Sequence, residues 1–164
     1  MNVYLKIGGC LLIMLSALLV GREYSKYTDR RIAENAGFLS LVRHMEGQVA
    51  KFLSYGDGLF FGFEDSALES CGFLTAIKDG ESLSSAMEKC KSHLSISPEM
   101  KSSLTEFFTH FGGDYQEEEL RKISAFLSKI EKMAERDSEN MTKNLQVARA
   151  LLLGGALWAS VMAL

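Results

Sequence analysis

Proline, cysteine and strand-like patterns are all scarce in this chain. The 164 residues include one proline and three cysteines, Cys10, Cys71 and Cys90. No segment shows the apolar–polar alternation that is typical of a half-buried strand, and helical periodicity dominates instead. The cysteine spacing matches no zinc-binding pattern. These absences predict an all-α fold without a structural metal.

Charged residues are nearly absent from the two ends of the chain. Lys6 and Arg149 are the only charged side chains in 1–21 and 148–164, so 37 of the 39 charges lie in 22–147. The chain carries a formal net charge of −3. That mild acidity argues against a nucleic-acid partner, which requires a basic face. A soluble domain spreads its charge to the termini, whereas this pattern predicts two apolar ends around a charged middle.

The first apolar run, Ile7–Val20, predicts a transmembrane helix over 1–21. Uninterrupted it is shorter than the roughly 20 residues that span a bilayer core. Lys6 lies near its end, where a long stem can reach the headgroups, and this extends the span to about Val3. A signal peptide has the same basic start and short apolar core. The exit toward Arg22 makes a poor cleavage site, which favours an uncleaved helix bounded by Lys6 and Arg22.

The second apolar run ends the chain and predicts a transmembrane helix over 148–164. Arg149 is expected to extend its stem to the headgroups, as Lys6 does. The alternative is a helix buried in a protein core. Gly155, Ala159 and Ala163 place small residues four apart, and such spacing lets membrane helices approach closely. They are candidates for packing against the first span or against another subunit.

Basic residues flank the two spans on one side. Arg22, Lys26, Arg30 and Arg31 follow the first span, and Lys143 precedes the second. The positive-inside rule therefore places 22–147 in the cytoplasm. A disulfide between Cys71 and Cys90 is possible on paper, but a cytoplasmic domain would keep both reduced.

The charged middle, 22–147, predicts a bundle of five or six helices. The expected helix signals are a stop at Tyr55–Gly58, a buried connector or short helix over Leu59–Glu64, caps at Asp65 or Ser66 and at Ser82, an end at Asp79-Gly80, a start at Ser97-Pro98 and an end at Gly112-Gly113. The expected inward faces are Ile32, Ala36, Leu39, Val42, Met45, Val49 and Leu53 on the first helix, and Leu120, Ile123, Leu127, Ile130 and Ala134 on the last. We expect the first and last helices to be continuous with the spans.

No constellation of residues predicts catalysis, a cofactor or a metal site. His44, His93 and His110 fall on three different predicted helices without the paired spacing of a zinc site. No nucleophile has an obvious base, so we predict a protein that is not an enzyme. Glu117, Glu118 and Glu119 open the long helix. They either complement the helix dipole or form an acidic face on which a partner docks.

Several segments resemble one family. They are Gly21–Arg31 after the first span, Lys78–Ala86, the Phe111-Gly112-Gly113-Asp114 turn leading to Leu120, and the long polar helix Ile123–Asn144 that enters a glycine-containing terminal span. Together they resemble the stage III sporulation protein AB family, which is related to the type II secretion F-protein domain. The resemblance covers essentially the whole chain.

This resemblance implies a non-enzymatic component of the channel complex that links mother cell and forespore. It implies the cell membrane of an endospore-forming bacterium, a multi-pass topology and a bundle facing the mother-cell cytoplasm. The expected partners are membrane lipid, other sporulation channel membrane proteins and a secretion-type ATPase resembling stage III sporulation protein AA. The sequence leaves two alternatives: a membrane-anchored signalling or adaptor protein, and an anchored enzyme with a scattered site.

Overall fold

The chain folds into α-helices, as the sequence predicts. The computed structural model describes residues 3–52, 57–60, 62–113 and 115–163, and these residues contain no strand. The elements are α1 Val3–Phe52, a 3₁₀ helix Asp57–Phe60, α2 Ser66–Ser70, α3 Phe73–Lys78, α4 Leu83–Cys90, α5 Pro98–His110 and α6 Gln116–Ala163. Helix α1 continues past residue 21 and α6 past residue 148 without a break.

The helices form two compact units. The first consists of Met1–Asp29 and Ser138–Leu164, and the second of Arg30–Asp137. The sequence placed its domain divisions at 21/22 and 147/148, whereas the compact units divide at 29/30 and 137/138.

We predicted transmembrane helices over 1–21 and 148–164. Across the described ranges, no helix combines the length and the apolarity that crossing a membrane requires. The side chains of Lys6, Arg149, Ala159 and Ala163 lie outside the described part of the structure.

Three helices in the second unit begin at the predicted caps. Asp65 Oδ1 accepts hydrogen bonds from the backbone N–H groups of Ala67 and Leu68, at 3.0 and 2.9 Å. Ser82 accepts from the Ser85 N–H and Ser97 from the Met100 N–H. Each cap satisfies an N–H group that the first helical turn leaves without an intrahelical partner. Of the predicted stop Tyr55–Gly58, residues 55 and 56 lie outside the described residues, and Asp57 begins the 3₁₀ helix.

The sequence predicted one helix carrying both Leu68 and Ile77, and that prediction is wrong. The structure divides this segment at Gly72, whose φ of +84° is left-handed and ends α2. The chain resumes as α3 at Phe73, which is fully buried. Its ring meets Phe38 edge-on, with centroids 5.3 Å apart, and stacks on Phe108 at 5.7 Å. The break at Gly72 therefore places the Phe73 ring in the core, whereas the single predicted helix did not bury it.

The buried face of α1 is rotated from the predicted one. Ala36 is exposed, whereas Phe38 and Leu41 are fully buried although the predicted stripe omitted them. Val42, Met45 and Val49 are buried as expected. The spacing was correct, but polar Glu34 and Asn35 lie on the buried face and disguised its position. Leu53 lies outside the described residues.

The predicted stripe on α6 is confirmed in its centre and only partly buried elsewhere. Ile123 and Ile130 are fully buried, and Ala134 is nearly so. Leu120 and Leu127 are half-buried and pack at the edge of the core.

Gly37 lets α1 approach the capped start of α2. A Cβ atom placed on Gly37 would lie 2.7 Å from Asp65 Oδ1 and 3.0 Å from Leu68 Cγ. Real Cβ atoms do not come this close to a neighbour, so glycine is required by packing here. The same Asp65 oxygen caps α2, so a displacement of the Asp65 side chain would also disturb the cap.

Gly37→Ala should lower the free energy of unfolding by about 1–3 kcal/mol, the usual cost of overpacking a core. Gly47→Ala in the same helix is the matched control, since nothing lies within 4 Å of the position that its methyl group would take. That change should stabilise the protein by about 0.5–1 kcal/mol through helix propensity. Chemical unfolding of the full chain in mild detergent, followed by circular dichroism, measures both. Equal effects of the two substitutions would contradict the close contact.

Candidate functional site

A buried polar network joins α1 to α6 in the second unit. Arg31 Nε and Nη2 donate to the two carboxylate oxygens of Asp137, at 2.7 and 2.5 Å. Asn35 Nδ2 donates to the same carboxylate at 2.9 Å. The Arg31 and Asp137 side chains are only 13% and 14% exposed. A bidentate guanidinium–carboxylate pair fixes orientation as well as distance, so it sets how these helix segments face each other.

A second buried carboxylate connects α1 to the α4–α5 loop. Glu34 is 1% exposed, and its Oε2 accepts from the Ser95 backbone N–H at 2.5 Å. Its Oε1 accepts from Arg30 Nε at 2.8 Å, and Arg30 also donates to the His93 carbonyl at 2.7 Å. A polar residue on the buried face of α1 thus holds a distant loop in place.

The remaining contacts show that these segments of α1 and α6 run antiparallel. Arg43 pairs with Glu131 at 2.6 Å, Ser124 donates to Glu46, and Gln116 Nε2 donates to the Val49 carbonyl at 2.8 Å. Residue numbers rise along α1 as they fall along α6. Hydrogen bonds and an ion pair therefore connect the two long helix segments of the second unit.

The predicted acidic docking run divides into different environments. Glu117 is exposed, and Glu118 pairs with Arg121 at 3.0 Å. Glu119 is 1% exposed, and its Oε1 accepts from the Gly112 N–H at 2.9 Å. Its Oε2 is buried and has no hydrogen-bond partner within the described ranges. The buried member of the run thus differs chemically from its neighbours, which the sequence pattern did not reveal.

Exposed apolar side chains are concentrated in the first unit. Outside it, Tyr115 is the one large exposed apolar residue that the structure describes. Those of the first unit are Leu11, Leu12, Met14, Leu15, Leu18, Leu19, Val20, Tyr27, Val147, Leu151 and Trp158. Contiguous apolar surface of this kind marks a surface that another apolar phase or protein covers.

Within the first unit, the two helix segments meet at small residues. A Cβ placed on Gly21 would lie 3.5 Å from Leu152 Cδ1, an ordinary contact distance. An apolar cavity of about 280 Å³ lies beside this contact, lined by Tyr24, Ala148 and Leu151 among others. Gly155, a predicted packing residue, has open space around it, and Arg22, a predicted boundary residue, is exposed.

The histidine and cysteine side chains lie in different environments. No group of three metal-binding side chains occurs in the described part of the chain. His44 packs on the Phe63 ring at 5.2 Å, while His93 and His110 are exposed. Cys71 and Cys90 are buried free thiols, and burial raises the pKa of each. A raised pKa lowers the thiolate fraction and hence the reactivity of both cysteines.

No protein-family profile, curated protein or solved structure matches this chain.

Asp137→Asn should destabilise the protein by about 2 kcal/mol, because it removes the carboxylate charge that the largely buried Arg31 guanidinium faces. Removing one partner of a fully buried pair costs about 3–5 kcal/mol, and this pair keeps some contact with water. Chemical unfolding followed by circular dichroism gives the difference.

Arg43→Gln is the control, because it breaks the other α1–α6 ion pair. That pair is 59% and 42% exposed, and exposed pairs contribute at most about 1 kcal/mol. Equal losses from the two substitutions would show that the Arg31–Asp137 pair has no special structural role.

In a Cys10→Ser background, Cys71 and Cys90 should react slowly with a disulfide reagent until the protein is denatured. Their labelling should still increase with pH where an exposed thiol has already reached its maximal rate, because burial raises both pKa values. Absorbance of the released thiolate follows the reaction. Native thiols that react as fast as denatured ones would contradict their burial.

Proposed function

We propose that the chain is a non-enzymatic membrane component of the mother cell–forespore channel complex of an endospore-forming bacterium. In this proposal the terminal helices lie in the cell membrane. The bundle of the second unit faces the mother-cell cytoplasm and serves as an assembly platform for a secretion-type ATPase and neighbouring membrane subunits.

The single observation that carries the proposal is the apolar surface of the first unit. The large apolar side chains that are more than 55% exposed include Leu11, Leu12, Leu15, Leu18, Leu19, Val20, Leu151 and Trp158. Exposing such side chains to water is unfavourable by about 25 cal/mol for each Å² of apolar area. The near absence of charge in 1–21 and 148–164 suits hydrocarbon as the phase that covers them.

The architecture of the second unit supports a platform more than an enzyme. Its conspicuous buried polar groups, Glu34 and the Arg31–Asp137 pair, bond to other helices and loops and so hold the bundle in one arrangement. Such an interior provides a fixed outer surface for partners. Fold alone does not assign function, so the role in sporulation rests on the resemblance to the stage III sporulation protein AB family.

Membrane insertion of the second span is tested by Gly155→Asp in a chain carrying a C-terminal tag. A charge at the centre of a span costs about 3 kcal/mol on insertion scales. In the parent, protease added to intact protoplasts should remove the tag, because the C-terminus lies outside the cell. Gly155→Asp should protect the tag by leaving it in the cytoplasm.

Gly155→Leu is the matched control, since it adds bulk without charge. The tag should remain accessible, while any loss of complex assembly would report helix packing at this position. A tag that is protected in the parent would rule out the second span.

The platform role is tested by purifying the tagged chain from sporulating cells. The ATPase and other channel membrane proteins should co-purify, and deletion of the gene should block spore formation. A signalling or adaptor protein would instead bind its partner in vegetative cells as well. Normal spore formation in the deletion strain, with no channel component recovered, would overturn the proposal.

A further inference from the structure

A cleft between α5 and α6 contains the buried carboxylate of Glu119. It has a volume of about 250 Å³, and its walls include Phe107, Phe111, Phe126 and Glu119. We call it the Glu119 cleft. Small-molecule sites usually measure about 300–1,000 Å³, so this cleft suits one side chain better than a whole ligand.

Glu119 has an unfilled bonding capacity inside this cleft. Its Oε1 is held by the Gly112 N–H at 2.9 Å, which fixes the carboxylate at the start of α6. Its Oε2 is buried and lacks a hydrogen-bond partner in the described residues. Buried polar atoms are almost always paired, and an unpaired charged oxygen is especially unfavourable. A donor that reaches Oε2 would therefore lower the free energy of this carboxylate.

The walls define the chemistry of that donor. Phe107 and Phe126 stack with centroids 4.0 Å apart and planes 2° from parallel, and this stacked pair forms the aromatic wall of the cleft. Phe107 also contacts the Phe111 ring at 5.7 Å. Aromatic faces attract cations, and the planar guanidinium of arginine both stacks on a ring and donates to a carboxylate. The compact ammonium of lysine is more strongly hydrated and does not stack in this way.

Other occupants fit less well. A carboxylate at the cleft wall opposes an anion such as phosphate. Calcium takes six to eight oxygen ligands, whereas the lining side chains that carry oxygen are Ser103, Glu106 and Glu119. The rim carries charges of both signs, from Glu106, Lys122 and Lys129, together with His110. The buried charge inside the cleft is the carboxylate of Glu119.

We propose that the Glu119 cleft receives an arginine side chain of a partner protein. The guanidinium donates to Glu119 Oε2 and lies against the aromatic wall, while the apolar stem of the arginine fills the rest of the cleft. This inference concerns the second unit alone and does not depend on the membrane location proposed above.

The test is a titration of the full-length protein in detergent with N-acetyl-arginine-N-methylamide, followed by ligand-observed NMR. The citrulline analogue is the matched probe, because it keeps the shape of arginine but lacks its charge. Saturable binding of the arginine probe is expected. The citrulline probe should bind at least about tenfold more weakly, since it loses a charge-assisted hydrogen bond.

Glu119→Gln is the decisive variant, because it keeps the acceptor for the Gly112 N–H while removing the charge. It should weaken the arginine probe by about tenfold or more. Glu117→Gln is the control at an exposed member of the same run and should change nothing. Thermal unfolding checks that both variants fold, and if Glu119→Gln does not, the arginine–citrulline ratio on the parent protein decides.

Three results would overturn the proposal. One is the absence of saturable binding, which would mean that water alone fills the cleft. Another is equal binding of the arginine and citrulline probes, or of arginine and the matching lysine compound. The third is an equal loss of binding in Glu117→Gln and Glu119→Gln.

Discussion

The antiparallel pairing of α1 with α6 is the constraint on which the second unit depends. It is set by the bidentate contact between Arg31 and Asp137, to which Asn35 adds a third hydrogen bond. Apolar packing is tolerant of small shifts, but two parallel N–H···O bonds fix both the distance and the direction of the two helices. The short helices then pack against α1, where Glu34 holds the α4–α5 loop and Gly37 admits the start of α2.

Local signals in the sequence were sufficient for much of the fold. Caps such as Ser97 before Pro98 act within one helical turn, and the stripe through Ile123 and Ile130 reflects helical geometry alone. The break at Gly72 was missed because its left-handed φ is set by where Phe73 must go, and that depends on Phe38 far away in the chain. The same distance dependence applies to Asp137, because its partner Arg31 on α1 lies 106 positions away.

The candidate sites were predictable to a smaller extent. The uneven distribution of charge identified both apolar ends. The apolar character of a segment depends only on which residues it contains, so it can be read from the sequence. The run Glu117, Glu118 and Glu119 looks uniform in sequence, yet only Glu119 is buried against the turn at Gly112. Burial of one member depends on how α5 and α6 meet, so it becomes visible only in three dimensions. The resemblance to a sporulation family remains a proposal whose support lies in the chain's own segments.

The Arg31–Asp137 contact also constrains the order in which the protein can fold during synthesis. Its two residues are separated by 106 positions. Translation proceeds at about 5–20 residues per second, so the Arg31 side of the pair waits roughly 5 to 20 seconds for its partner to be made. During that interval the apolar face of α1, with Phe38 and Leu41, is without the finished bundle that encloses it. The nascent chain therefore passes through a stage at which its apolar face needs protection by the ribosome, a chaperone or the membrane surface.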